Sequence, residues 1–434
     1  VSDRLINGTT GNDTAESSIN PKHQAKVRAN TAALRKALQL ALLQSEPQSS
    51  NSKEPPSDQG FSTFADDVST AWVSDENPTI RDLAWLLSKP SLFVPETLDY
   101  SAFEWPAFER LASLTQTPAT QTPATQRLTA TRLDLLTATV AATNDIPSRS
   151  DTNRLGQYYE ALIAFLQHHF YPHYQCFQNV QLIADKQTLG EADFIVEMEP
   201  EKWCHLEVAI KFFLLRDDAD ADPQNLSHWV GPNSRDRLDK KLRHMNQQQL
   251  ALLQNTANLA LLNQTLSERG LEKPIDKIEA KHLLQGALFT HLYTVTDKSS
   301  VTNKSETINT NTSLNNSKAA HHLPLPFNTG AHAGYWIRYN ELCILLDEID
   351  NLEQGELRWV LLKKTEWLGG LHQLEWQDRA ISNAELIATL KGISLPRLVL
   401  CLSPSGGENL RWNEFKLMIT TDYWPDTRIP SRNI

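Results

Sequence analysis

Between residues 188 and 213 the chain alternates ionisable and apolar positions with a period of two, the pattern of paired strands. In the first run Glu191 and Asp193 fall on one face. In the second, His205, Glu207, Ala209 and Lys211 share a face, and Leu206, Val208, Ile210 and Phe212 take the other. The intervening Glu199-Pro200-Glu201-Lys202 predicts a hairpin turn, and residues 175–183 predict a strand before it. Upstream, Leu155, Tyr158, Tyr159, Leu162, Ile163 and Leu166 recur at helical spacing, with Glu160 among them and Pro172 beyond the end. The unit is a helix followed by three strands. After the 229–232 stop, one long helix is expected from near Asn233 toward Leu266, with Asn233 or Ser234 as its N-cap.

The remaining pattern divides the chain. Residues 1–65 read as a flexible tail with one short helix at 30–44, where Leu34, Leu38 and Leu42 form a stripe. Residues 66–150 read as a helical module around Trp72 and the Arg81-Asp82-Leu83-Ala84-Trp85 run, interrupted at 115–126 by a Thr-Gln-Thr-Pro-Ala repeat. The core occupies 151–295, a Ser/Thr/Asn-rich insertion 296–330, and a strand-rich C-terminal part 331–434. In that last part 331–338, 357–362, 398–402 and 411–420 are the expected strands, with a turn at 403–407.

Composition narrows the function classes. A net charge of -11 over 434 residues works against uniform attraction to a polyanion, so any nucleic-acid contact needs a local basic surface. Cys176, Cys204, Cys343 and Cys401 form no paired ligand motif, which argues against structural zinc and a disulfide scaffold and fits a reducing cytoplasm. No run approaches the roughly 18 apolar residues of a membrane span. The polar start lacks a basic-then-apolar signal pattern. The expectation is a cytoplasmic protein with no membrane partner.

Carboxylates and an ammonium in otherwise apolar strands are costly to bury unless paired or bound to metal. Asp193 and Glu207 could share a hard cation across the hairpin, Glu160 could add a carboxylate from the helix, and Lys211 could extend toward a water or a phosphate. Glu191 is a further ligand candidate, instead of or beside Asp193. The bland alternative is an ion network of Asp193, Glu207 and Lys211. His205 is expected as a partner on the sheet face and Cys204 as core.

In the order helix Glu160, strand Asp193, strand Glu207 and Lys211, the chain resembles the PD-(D/E)XK nuclease superfamily. More closely, residues 154–160, 190–194, 205–212 and 229–232, together with 81–85 and Gly334-Tyr335-Trp336, look like a bacterial domain-of-unknown-function family, DUF 1853. The resemblance implies an α/β fold: a nuclease-like core with a central mixed sheet flanked by helices, elaborated by the helical module and the strand-rich part. It also implies Mg or Mn at Asp193 and Glu207 with support from Glu160, and DNA or RNA as substrate. Two positions depart from the superfamily pattern. Ala192 stands where a proline is usual, and Lys211 lies two residues further from Glu207, about 6.5 Å along the strand at roughly 3.3 Å per residue. The rival expectation is therefore an inactive nuclease-fold protein that binds nucleic acid or assembles with partners.

Arg235, Arg237, Lys240, Lys241 and Arg243 cluster at the start of the expected long helix. Arg237 and Lys241, four apart, are candidate phosphate contacts. Asp236 with Lys240 and Asp239 with Arg243 have the spacing of self-paired helix charges. The His168-His169-Phe170-Tyr171-Pro172-His173 run has no matching ligand pair downstream and is expected as a polar helix end. The glycines near 369 and 406 lack the phosphate-loop pattern and are expected in turns.

Overall fold

Helix α1, Pro78–Ser88, begins where Asn77 accepts a hydrogen bond from Thr79 N with proline in the first turn, and it ends ahead of Pro90. The computed structural model describes residues 76–93, 100–103, 132–218, 220–292, 327, 332–350, 357–405 and 411–425. The expected 30–44 helix, Trp72, the 115–126 repeat and the 296–320 insertion lie outside the described residues.

After α1 come the two-residue β1, Ser101–Ala102, and the helices α2, Arg132–Ala142, and α3, Leu155–Phe170. Strands β2, Cys176–Ala184, β3, Gln187–Glu199, and β4, Lys202–Leu215, follow as two antiparallel hairpins. Short β5, Trp229–Val230, lies on the end of β4. Helix α4, Leu238–His244, and α5, Thr256–Ser267, precede β6, Ile278–His291. The chain closes with β7, His332–Arg338, α6, Tyr339–Asp350, β8, Arg358–Leu361, α7, Gln373–Gln377, α8, Asn383–Leu390, β9, Arg397–Ser405, and β10, Arg411–Thr420.

All the strands join one mixed sheet in the order β2-β3-β4-β6-β7-β10-β9-β8, with β1 added beside β6 and β5 beside β4. Its centre, β4-β6-β7-β10, is parallel, and antiparallel strands flank it on both sides. The strands of the C-terminal part thus continue the sheet of the core. The alternation read from β4 explains why it is central: Cys204, Leu206, Val208, Ile210, Phe212 and Leu214 pack with α1, α2 and α3 on one face. Ala209, Phe213 and Leu215 pack with α4 on the other.

The expected single helix from Asn233 to Leu266 is broken. Asn233 Oδ1 accepts from Arg235 N at 3.0 Å and Asp236 N at 3.3 Å, closing a side-chain turn that delays the helix to an N-cap at Arg237. A π turn, Met245–Gln249, follows α4, then a 3-10 turn, Leu252–Gln254. Asn255 Oδ1 then accepts from Ala257 N at 2.8 Å and starts α5 afresh. Side-chain capping by asparagine competes locally with helix continuation.

Candidate functional site

Strand β4 holds its partner β6 in register from Trp203 to Leu214, but its ladder to β3 runs only from the hairpin turn to Phe194 opposite Leu206. Beyond that pair, side chains replace the backbone bonds. Val208 N donates to Asp193 Oδ2 at 2.9 Å, and Asp193 N donates to Glu207 Oε1 at 3.4 Å. The two strands therefore fork, and Asp193 and Glu207 sit in the crotch.

Strand β3 is itself distorted there, although Glu191 and Asp193 both lie within electrostatic reach of Glu160 on α3. Ala192 packs in the same core cluster as Ile195, whereas Phe194 and Val196 pack in the opposite one, so the alternation slips between 192 and 195. On the neighbouring strand Asn179 has φ 49 between the pairs Gln178–Phe194 and Val180–Ala192. Glu191 is exposed and accepts from Gln181 Nε2 at 2.9 Å.

His205 and Glu207 are the fully buried part of the fork. His205 Nε2 lies 2.8 Å from Glu207 Oε1, and neither residue is exposed. His205 is thus the sheet-face partner expected of it, while its Nδ1 makes no hydrogen bond. Gln249, aimed inward by the π turn, donates to Glu207 Oε2 at 2.5 Å, and Lys241 Nζ donates to Gln249 Oε1 at 3.0 Å. π turns recur at functional sites because they re-aim a side chain within a helix.

Glu160 comes from α3, which is pinned by the two tyrosines before it. Tyr158 donates to Asp82 at 2.8 Å and Tyr159 to Gln285 at 2.7 Å. Asp82, fully buried, also accepts from Arg149 at 2.7 Å and from Gly369 N at 2.8 Å. The 81–85 run thus serves packing: it fixes the helix that presents Glu160.

These positions leave charges close together. Burial first, then Glu207 and Glu160, push the Asp193 carboxyl up to about 8 against the opposing pull of the Val208 amide and Lys241. Glu160 is raised by burial, then by Glu191 and Glu207. Lys241 is lowered by burial and then by Lys211, with Asp193 and Glu207 pulling the other way. Among the described residues no lysine or arginine nitrogen lies within 4.0 Å of an Asp193 or Glu207 oxygen.

The candidate cations separate. Lys211, a third exposed, pairs with Asp236 Oδ2 at 3.2 Å instead of reaching the acids. Two glycines build that corner. Gly286, at φ 145, lies opposite Lys211, where a Cβ would meet the Lys211 carbonyl oxygen at 1.7 Å. Gly231 lets the 229–232 segment approach Asp236, receiving the Asp236 carbonyl on its N–H at 2.8 Å where a Cβ would come within 2.9 Å of the Asp236 Cβ. Arg237 makes two bonds to Asp239, at 2.6 and 2.7 Å, and Arg243 lies 3.9 Å from the same carboxylate. Of the two candidate phosphate contacts, Lys241 faces the fork and Arg237 is held by Asp239.

A sequence profile described as a domain of unknown function, DUF1853, matches residues 81–419. The chain belongs to the DUF1853 family. No curated protein and no solved structure matches it. The DUF1853 match spans Asp82, Glu160, Asp193, Glu207, Lys211 and Lys241, so the helix anchor and the fork lie within one family unit.

The fork suits a hard divalent cation by donor type. The buried Glu207 and the half-buried Asp193 have no direct lysine or arginine partner, and oxygen donors are those that magnesium and manganese prefer. The carboxylates are not drawn into a three-ligand group. Among the described residues the groups of three with ligand atoms within 4.8 Å of one another are Asp145, His168, His169 and Asp217, His291, Glu341. Glu160 acts on Asp193 through charge. Sequence reasoning missed Gln249, which the Gln247-Gln248-Gln249 run gives no means of singling out, and missed that Lys241 turns toward the acids.

Among the described residues no helix is long and apolar enough to cross a membrane.

Proposed function

We propose that the protein is a divalent-metal-dependent nuclease that hydrolyses phosphodiester bonds of DNA or RNA on a PD-(D/E)XK-like core. One observation carries the reading: β3 and β4 part at the buried Glu207 and the half-buried Asp193, which have no lysine or arginine in contact, and Asp193 is held up to about 8 by burial and Glu207. Asp193 and Glu207 would hold Mg or Mn, with Glu160 supporting them. Bound there, the ion would supply a lowered water pKa and charge neutralisation at phosphorus. His205 and Gln249 fix the Glu207 carboxylate from both oxygens, so it is pre-positioned. Asp193 loses its proton when a cation takes the place of that charge. Lys241, linked to Glu207 through Gln249, would make the phosphate contact expected of it from the sequence, and would do so in place of Lys211.

One observation favours the rival reading of a nuclease-fold protein that binds without cutting. Both oxygens of Glu207 already accept protein hydrogen bonds. A cleavage assay with Mg or Mn on single- and double-stranded DNA and RNA decides between them. Asp193→Ala and Glu207→Gln should each lower the rate by at least about a hundredfold, and Lys241→Ala should cost more than Lys211→Ala. Cleavage that persists undiminished in both acid variants overturns the assignment. Metal-independent binding without cleavage establishes the rival.

A further inference from the structure

We infer that Asp145, His168 and His169 form a binding site for a divalent transition-metal ion, zinc by ligand type, at the C-terminal end of α3. The histidine run offers no ligand pair downstream of Pro172, but the fold supplies one from upstream. His169 Nε2 lies 3.0 Å from Asp145 Oδ1 and 3.2 Å from Oδ2. One ligand atom from each of the three residues falls within 4.8 Å of the other two.

The spacing is that of metal ligands. Two donors about 2.0–2.1 Å from a tetrahedral ion stand roughly 3.3 Å apart, close to the separation of His169 and Asp145. His168 has to approach further, and its exposed ring, edge-on to His169 at 4.8 Å between centroids, is free of a packed core. Thr143 Oγ1 donates to Asp145 Oδ1 at 2.5 Å and orients that carboxylate. Both histidines lie in the last turn of α3, where the helix dipole favours a cation. Two imidazoles and one carboxylate select a borderline ion such as zinc over magnesium.

Three protein ligands leave a coordination position for water or another ligand. Asp145 and His168 also line a cavity of about 580 Å³, whose wall includes Ser148, Asp151, Thr152 and Gln178. The site is therefore open toward a hollow whose wall also includes the apolar Ile146, Ala161 and Phe165, unlike a closed structural zinc site. It lies eight residues beyond Glu160, about 12 Å along α3 at roughly 1.5 Å per residue, and is independent of the fork.

The test uses the untagged full chain, stripped with a chelator and titrated with cobalt(II) and, by calorimetry, zinc(II). Wild type should take up an ion here, besides any held at the fork, with the visible absorption of cobalt bound by nitrogen and oxygen in low coordination. His168→Ala and Asp145→Ala should each weaken this uptake by at least about tenfold, whereas Lys273→Ala, at an exposed ion pair with Glu201 that belongs to neither site, should leave it unchanged. Circular dichroism checks that each variant is folded, and Asp145→Asn, which keeps the carboxamide shape, replaces Asp145→Ala if the latter is not. Absence of saturable uptake by wild type up to millimolar metal overturns the site. So does uptake unchanged in the His168→Ala/His169→Ala double variant.

Discussion

Two buried histidine–glutamate pairs, His205 with Glu207 on β4 and His291 with Glu341 between β6 and α6, share one local chemistry, with contacts of 2.8 and 3.0 Å. Their surroundings differ by one arginine. Arg338 makes two bonds to Asp217, at 2.6 and 2.7 Å, and lies 3.5 Å from Glu341. Burial would push Asp217 and Glu341 up, but the Arg338 bonds to the first and the His291 bond and Arg338 charge on the second outweigh it, and both carboxyls are held below the usual range. At the fork no arginine enters and Asp193 is pushed up instead. The second pair is a completed ion network, and the first stands beside an acid that no arginine offsets. A cluster of acids is informative only together with what neutralises it.

Removing the arginine should make the two regions alike. Arg338→Met leaves Asp217 and Glu341 without their counter-charge and should cost about 3–5 kcal/mol of stability, read by urea denaturation. Asp193→Asn should act in the opposite direction, stabilising the metal-free chain at pH 8 by about 1–2 kcal/mol.

The pH dependence sharpens the contrast. Between the ordinary carboxylate value of 3.8 and about 8, folded Asp193 binds a proton that the unfolded chain has released, so its contribution to stability falls as pH rises through that window. Wild type without metal should lose melting temperature from pH 4 toward 8 more steeply than Asp193→Asn. For Asp217 and Glu341, whose carboxyls are depressed, the contribution is present above the unfolded values and is lost as pH falls below them. Asp217→Asn should therefore lower stability at neutral pH and flatten the acid limb, its curve converging on that of wild type as pH falls below the carboxylate range.

A smaller effect comes from adding magnesium at pH 8. At ten times its dissociation constant it should stabilise wild type by about 1.4 kcal/mol and leave Asp193→Asn unmoved, measured as a thermal shift. Smallest of all, Lys211→Ala removes a partly exposed pair with Asp236 and should cost less than about 1 kcal/mol.

The comparison also explains what the sequence made legible. Period-two alternation located β2, β3 and β4 and put His205 and Glu207 on one face, because a strand buried on both sides writes its pattern locally. The C-terminal strands were legible one by one, but their union with β6 was not, since parallel pairing brings residues such as Leu288 and His332 together across a long interval with no turn to announce it. The slip beside Asn179 was not legible, because it is a backbone event with a weak residue signature. Lys241 and Gln249 reach the fork only because asparagine turns and a π turn cut up what periodicity alone joins into one helix. Arg338, which distinguishes the two acid clusters, meets Asp217 from 121 residues away.

The Asp82 carboxylate has a consequence for where the molecule can be cut. It gathers hydrogen bonds from Arg149, Tyr158 and Gly369, the last 287 residues distant along the chain. A fragment trimmed to 151–295 would keep every acid of the fork and lose the post to which α3 is tied. Tyr158 would then present a buried hydroxyl with no acceptor, and the helix carrying Glu160 could settle at a different angle. The acid-bearing hairpin is local, but its alignment is set from both ends of the polypeptide, so the indivisible unit of this protein is nearly the whole sheet.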